Sequence, residues 1–162
     1  MKSVMKKVTG MLVVFALTVA MFSVSAQAAP KGYQFTNNGV TVTMNSKAKK
    51  FIKKAGKTVA FKATKSCAYK GKDRTYKYKN FILYTYSNSE KGAEYVNGIT
   101  FLNNKAKTKE GITIGSSLED VQKAYGKGSE KFGVYSFTKG KSKLQIEITD
   151  DKVSNLRYIL KK

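Results

Sequence analysis

The second half of this chain repeats the pattern of the first. The stretch 39–103 opens GVTVTMNSKAKKFIKKAG and the stretch 111–160 opens GITIGSSLEDVQKAYG. Gly39-Val40-Thr41-Val42 matches Gly111-Ile112-Thr113-Ile114, and Ala48, Phe51, Ala55 and Gly56 match Leu118, Val121, Tyr125 and Gly126. Further on, Tyr76-x-Tyr78 matches Tyr135-x-Phe137, Phe81-x-Leu83-x-Thr85 matches Leu144-x-Ile146-x-Ile148, and Ile99-x-Phe101 matches Leu156-x-Tyr158. Self-similarity of this kind means one supersecondary unit used twice, with its apolar faces buried together. The expectation is an α+β fold of two tandem helix-plus-antiparallel-meander repeats, with the helices on one face of a curved antiparallel sheet.

The N-terminus reads as a secretory signal. Lys2, Lys6 and Lys7 precede an apolar run from Val8 to Val24, and Ala26-Gln27-Ala28 is a small-x-small cleavage site. The run is short for a membrane span. Cleavage after Ala28 would leave residues 29–162, read as one domain of two repeats (about 39–103 and 111–160), because two independent domains of roughly 65 residues would each be marginal. No second apolar run follows, so no transmembrane segment is expected after cleavage. The chain is read as secreted or envelope-associated, with export of the Gram-positive type.

The chain has 31 Lys and Arg against 10 Asp and Glu. The excess is concentrated in the first repeat. Such a field attracts polyanions. Arg occurs only at 74 and 157, and lysine acts as a hydrated point charge without the planar fork of arginine. The pattern therefore points to diffuse attraction, with anionic cell-wall polymer as a candidate and no specific nucleic-acid recognition.

Little in the chain supports catalysis. There is no histidine, which removes Ser-His and Cys-His nucleophiles and the commonest zinc sites. The acids are scattered, and no phosphate-binding glycine loop is present. The chain is read as a non-enzyme without cofactor or metal. Cys67 is the single cysteine. A buried or partly buried thiol is the preferred reading, ahead of an intermolecular disulfide or a reactive site.

Local signals place the elements. Residues 30–38 read as an extended lead-in in which Tyr33 and Phe35 alternate, and residues 39–43 as a strand. Asn45-Ser46 offers an N-cap to a helix carrying Ala48, Phe51, Ile52 and Ala55 on one face. Residues 65–75 read as a loop. In the second copy, Ser116 with Glu119 is the conventional capping box, overlapping Ser117 with Asp120.

The aromatics carry the functional signal. All ten tyrosines lie outside the signal segment, and there is no tryptophan. FILYTYS at 81–87 is the strongest strand pattern. If Phe81, Leu83 and Thr85 face the helix, then Ile82, Tyr84 and Tyr86 face outward. The matching outward positions in the second copy are Gln145, Glu147 and Thr149. An exposed tyrosine-rich face beside Lys77 is what binding surfaces use. Lys77, Ile82, Tyr84 and Tyr86 are therefore the expected partner-binding residues.

The element order and the G-I-x-I-G-x-S-x-x-x-V-x-x-x-Y-G stretch at 111–126 resemble the β-lactamase-inhibitor-protein-like fold and the small outer-membrane assembly lipoproteins that share its half-unit. More closely, the chain is similar to uncharacterised secreted two-repeat proteins of Firmicutes through Ser66-Cys67-Ala68, Gly71, Asp73, Tyr76, Tyr78 and the segment Thr108–Gly115. The resemblance implies a sheet with one face free to bind protein. It does not imply β-lactamase inhibition, since fold does not fix function. The function expected is a secreted non-catalytic binding module at the cell surface, recognising an unknown protein through the open sheet face. The alternative is a lysine-rich envelope protein retained on anionic wall polymer.

N-terminal sequencing of the exported protein checks the processing directly. Ala29 is the expected first residue, and residues 1–28 recovered intact in membrane fractions would mean an uncleaved anchor.

Overall fold

The computed structural model describes residues 32–161. The signal segment 1–28 lies outside the described residues. Two antiparallel sheets form. A small hairpin pairs β1 (Gln34–Asn37) with β2 (Val40–Thr43), and Phe35 lies opposite Val42. Its turn is Asn38-Gly39, both at positive φ (47° and 72°), the mirror-image two-residue turn that suits strand twist and that Asn-Gly favours.

The main sheet has eight strands in the order β3-β4-β5-β6-β10-β9-β8-β7. These are β3 (Ala60–Lys65), β4 (Lys72–Lys77), β5 (Phe81–Ser87), β6 (Glu94–Phe101), β7 (Ser129–Lys131), β8 (Val134–Lys139), β9 (Ser142–Thr149) and β10 (Lys152–Leu160). The last strand of each half, β6 and β10, meet in the middle through Thr100–Arg157, Ile99–Tyr158 and Gly98–Ile159. The described residues contain two helices, α1 (Lys49–Lys54) before β3 and α2 (Leu118–Tyr125) before β7. Neither is long and apolar enough to cross a membrane.

This corrects the expected fold class. The protein is mostly β, with 48% strand and 11% helix, and is not an α+β fold of helix-plus-meander repeats. The physical reason is the balance between two short helices and a sheet that takes in more of the chain. The 3.6-residue apolar pattern stops at Gly56 and Gly126, both at positive φ. Meanwhile the period-two pattern extends into stretches that look like connections: residues 72–75 belong to β4, and residues 34–37 form a hairpin strand.

What does recur is a pairing pattern. Asn45 N–H donates to Val96 O and Gly115 N–H donates to Val153 O, both at 2.8 Å. Ala48 N–H donates to Glu94 O, and Leu118 N–H to Asp151 O. Ser46 Oγ accepts from Thr43 N–H as Ser116 Oγ accepts from Thr113 N–H. By these bonds, Val42 and Met44 stand where Ile112 and Ile114 stand. The sequence match that sets Val40 and Val42 against them is two residues out of register. Ser46 and Ser116 are engaged in these turns, so neither caps a helix. The cap of α1 is Ala48, with no side-chain bond, and α2 uses the Ser117–Asp120 box.

The core lies on one face of the large sheet, under the hairpin and the helices. Phe35 packs on Phe51, Phe81 and Phe101, with ring centroids 5.0–6.0 Å apart. Tyr33 stacks on Tyr158, and its N–H donates to Ser142 Oγ on β9. The lead-in therefore covers the inner face across both halves. Gly71 is obligatory in the β4 approach, because a Cβ there would sit 2.1 Å from Ser87 O. Phe51 and Val121 are both fully buried at matching helix positions. Replacing Phe51 with Ala should cost about 3–5 kcal/mol, measured by denaturant unfolding of residues 29–162. A cost under about 1 kcal/mol, the size of an ordinary surface substitution, would contradict the packing described.

Candidate functional site

Alternation along β5 settles the two faces of the sheet. Phe81, Leu83 and Thr85 are buried on the inner face, and Ile82, Tyr84 and Tyr86 point to the outer one. Register extends the outer face to Lys77 opposite Ile82, Thr75 opposite Tyr84, and Gly98 on the far side of Tyr84. Beyond the central seam it continues through Ile159 and Arg157 to Lys143 and Gln145.

The four residues expected to bind a partner are not equivalent. Lys77 is exposed, and Ile82 and Tyr84 are half-buried. Tyr86 is only 6% exposed. Tyr69, from the β3–β4 connection, stacks on it at 4.4 Å, Tyr95 flanks it at 5.7 Å, and its hydroxyl donates to Asn45 Oδ1. Burial first, and then the neighbouring Tyr69 and Tyr95, raise its ionisation above the ordinary phenol range. Tyr86 thus holds the end of the face in place, and the surface available to a partner centres on Tyr84.

Among the described residues, two shallow grooves of 520 Å³ or more cross this face. The first, about 520 Å³, runs between Tyr84 and Ile159 over Gly98, with Lys143 and Lys161 at its edge. Gly98 makes that slot. A Cβ there would lie 3.0 Å from Tyr158 O and 3.6 Å from the Tyr84 ring. The second groove, about 570 Å³, runs from Lys143 across Gln145 and Arg157 to Phe132. Arg157 Nε donates to Gln145 Oε1 at 2.9 Å, which fixes both side chains. Lys143 is common to the two grooves. The face therefore alternates apolar patches with cations, and its acids are Asp73 and Glu147.

Sequence reasoning missed Gly98, Lys143, Arg157, Ile159 and Phe132. The first four are ordinary alternating positions: Gly98 lies opposite Tyr84 in the β5–β6 pairing, and the other three join that face only by the β6–β10 pairing, which no local pattern encodes. Phe132 left only a weak sequence signal, a large apolar residue before Gly133 in the polar stretch SEKFG. It is 90% exposed and sits with Gly133 in the β7–β8 turn at φ 52°. A bulky side chain in the left-handed region, with the Lys131 ammonium 5.4 Å over its ring and 90% of it exposed, is unfavourable for folding alone. Gln145, Glu147 and Thr149 are outward as expected, but the second half of the face is not simply polar. Cys67 is exposed, which corrects its reading as a buried or partly buried thiol: it lies in the turn that Ser66 Oγ makes by accepting from Ala68 and Tyr69 N–H.

Comparison with known protein families, characterised proteins and solved structures finds no match. The site is therefore read from its geometry. Tyr86→Ala should cost about 3 kcal/mol, as for a buried aromatic, whereas Tyr84→Ala should cost under about 1 kcal/mol. Equal costs in denaturant unfolding would contradict the different roles assigned to the two rings.

Proposed function

We propose that this protein is a secreted, non-catalytic binding module that recognises another protein at the cell surface through the outer face of its sheet. The observation that carries this reading is that the described residues leave the outer face uncovered from Tyr84 to Phe132, Tyr69 covering only its Tyr86 end. The lead-in, both helices and the hairpin all pack on the inner face, while Tyr84, Ile159, Val134 and Phe132 stay accessible among Lys77, Lys131, Lys143 and Arg157. An apolar patch with a charged surround is the usual anatomy of a protein interface. Tyrosine and arginine are enriched among residues that dominate binding energy. The partner surface complementary to it is acidic at its rim and apolar at its centre.

A photo-crosslinking amino acid placed at Tyr84 or at Ile159, in protein applied to intact producing cells, tests this. The expected result is one crosslinked partner from both positions, none from a control position at Lys50 on α1, and retention in about 0.5 M salt, where exposed charge pairs are screened. Crosslinks from all three positions, or loss of the product in salt, would contradict it.

A further inference from the structure

The two helices solve the same structural problem differently, and the difference collects around one groove. Helix α2 has a capping box, Glu119 and Asp120 in its first turn, and a Lys123–Glu119 ion pair at 2.7 Å. The bond from Ser117 holds the Asp120 carboxyl below its usual range. Helix α1 has no side-chain cap and no acid in its first turn. Lys49 and Lys50 stand where the helix dipole disfavours cations. Lys49 faces Lys53, and Lys50 faces Lys54, one turn apart, where like charges repel. Only Lys53 and Lys54, in the last turn, suit the dipole. The second half shows that this fold does not need the lysine stripe.

The stripe borders a groove of about 520 Å³ between α1, β4 and the β5–β6 loop. Its rim carries Lys47, Lys49, Lys53 and Lys91, and its floor is Ile52 and Tyr76. One acid reaches it, Glu94, and that carboxylate is already engaged. It accepts from Thr85 Oγ1, and Arg74 Nη1 lies 3.8 Å away. Tyr76 lies against it too: burial first, and then Glu94, hold its phenol well above the ordinary range, so it stays a neutral ring. The groove thus presents four cations that no acid on its rim answers, over a half-buried apolar floor, on the side of the sheet away from Tyr84.

We infer that this groove binds a linear phosphodiester polymer with a polyol backbone. Four separate ammonium groups suit a chain that presents one negative charge after another, whereas a single phosphate pocket would use the bidentate fork of arginine. The floor fits a slim, flexible carbon backbone. Tyr76 is the one aromatic among the described residues that line the groove, and Phe61 packs on it from β3 at 4.9 Å; this single pair is no run of platforms for the successive base stacking of single-stranded nucleic acid. The inference is independent of the outer-face reading, since the two surfaces share no residue.

The test uses protein 29–162, a glycerol-phosphate oligomer as probe, and polygalacturonate and oligothymidylate of equal charge as comparators. The groove variant is Lys49→Gln/Lys53→Gln/Lys91→Gln. The control, Lys139→Gln/Lys141→Gln/Lys152→Gln, removes the same charge from the strand turns of the second half. The groove variant should weaken glycerol-phosphate binding about thirtyfold and flatten its dependence on log salt by about 2–3, close to one per lysine that meets a phosphate. The control should change affinity about twofold, as for charge that acts only through the general field. The groove variant should also melt at a higher temperature, because relieving like-charge crowding stabilises α1. Equal losses in the two variants, tighter binding of either comparator, or a lowered melting temperature of the groove variant would overturn the inference.

Discussion

The structure depends on the seam where β6 meets β10. Three residue pairs, from Gly98–Ile159 to Thr100–Arg157, turn two four-stranded halves into one eight-stranded sheet. Each strand carries an extra residue on the N-terminal side of the seam, Asn97 in β6 and Ser154 in β10, where the register with β5 and β9 shifts. Such bulges re-aim a strand. Here they free the first residues of β6 and β10 to pair with the segments that lead into α1 and α2, through the Lys47–Tyr95 and Ser117–Lys152 bridges. Both helices are thereby fixed to the same face. The hairpin lies across the inner face, with Phe35 against Phe51, Phe81 and Phe101 and Tyr33 against Tyr158. Apart from Tyr69 over Tyr86, nothing among the described residues covers the outer face, and the grooves at Tyr84 and Lys143 follow from that.

The two halves share pairing but not chemistry. Where the second half has Ile148 beside its inner core, the first has Thr85, bonded to Glu94. Tyr125 covers Phe137 in the second half, but the matching Ala55 covers little, and Asn37 and Asn38 from the hairpin reach across to the carbonyls of Ala55 and Lys54. The well-capped, charge-balanced helix belongs to the second half, and the lysine stripe to the first. A chain built this way keeps one half close to what folding alone requires and leaves departures from it in the other. Those departures are where binding is proposed.

Much of this is legible in the sequence, and the rest is not, for identifiable reasons. FILYTYS alternates so cleanly that its inner and outer residues follow directly, and the match of Phe51 to Val121 holds because both lie at the centre of a helical apolar stripe. Tyr86 departs from the exposed position expected of it because a ring from a distant connection, Tyr69, stacks on it, and strand alternation knows nothing of connections. The fold class departs from expectation because the helices stay as short as their patterns while strand pairing takes in polar stretches, 72–75 and 129–131, whose composition does not mark them as strands. The Asn38-Gly39 turn is a local signal for a hairpin, but what that hairpin covers is decided by the packing of Phe35. Gly98 meets Tyr84 within the first half, but Ile159 and Lys143 join them only through a pairing between the two halves, far apart in the chain, which one sequence does not state.

Residue-resolved amide hydrogen exchange tests the single-sheet architecture most directly. If the seam unites the two halves, the amides of Gly98, Ile99 and Thr100 and of Arg157, Tyr158 and Ile159 that bond across it should be among the slowest to exchange, at one common opening free energy set by global unfolding. Protection in β5 and β9 should be lost in the same event. If instead the seam amides exchange early while β4–β5 and β8–β9 remain protected with separate opening energies, the protein is two independently stable halves and the seam is not what holds it together.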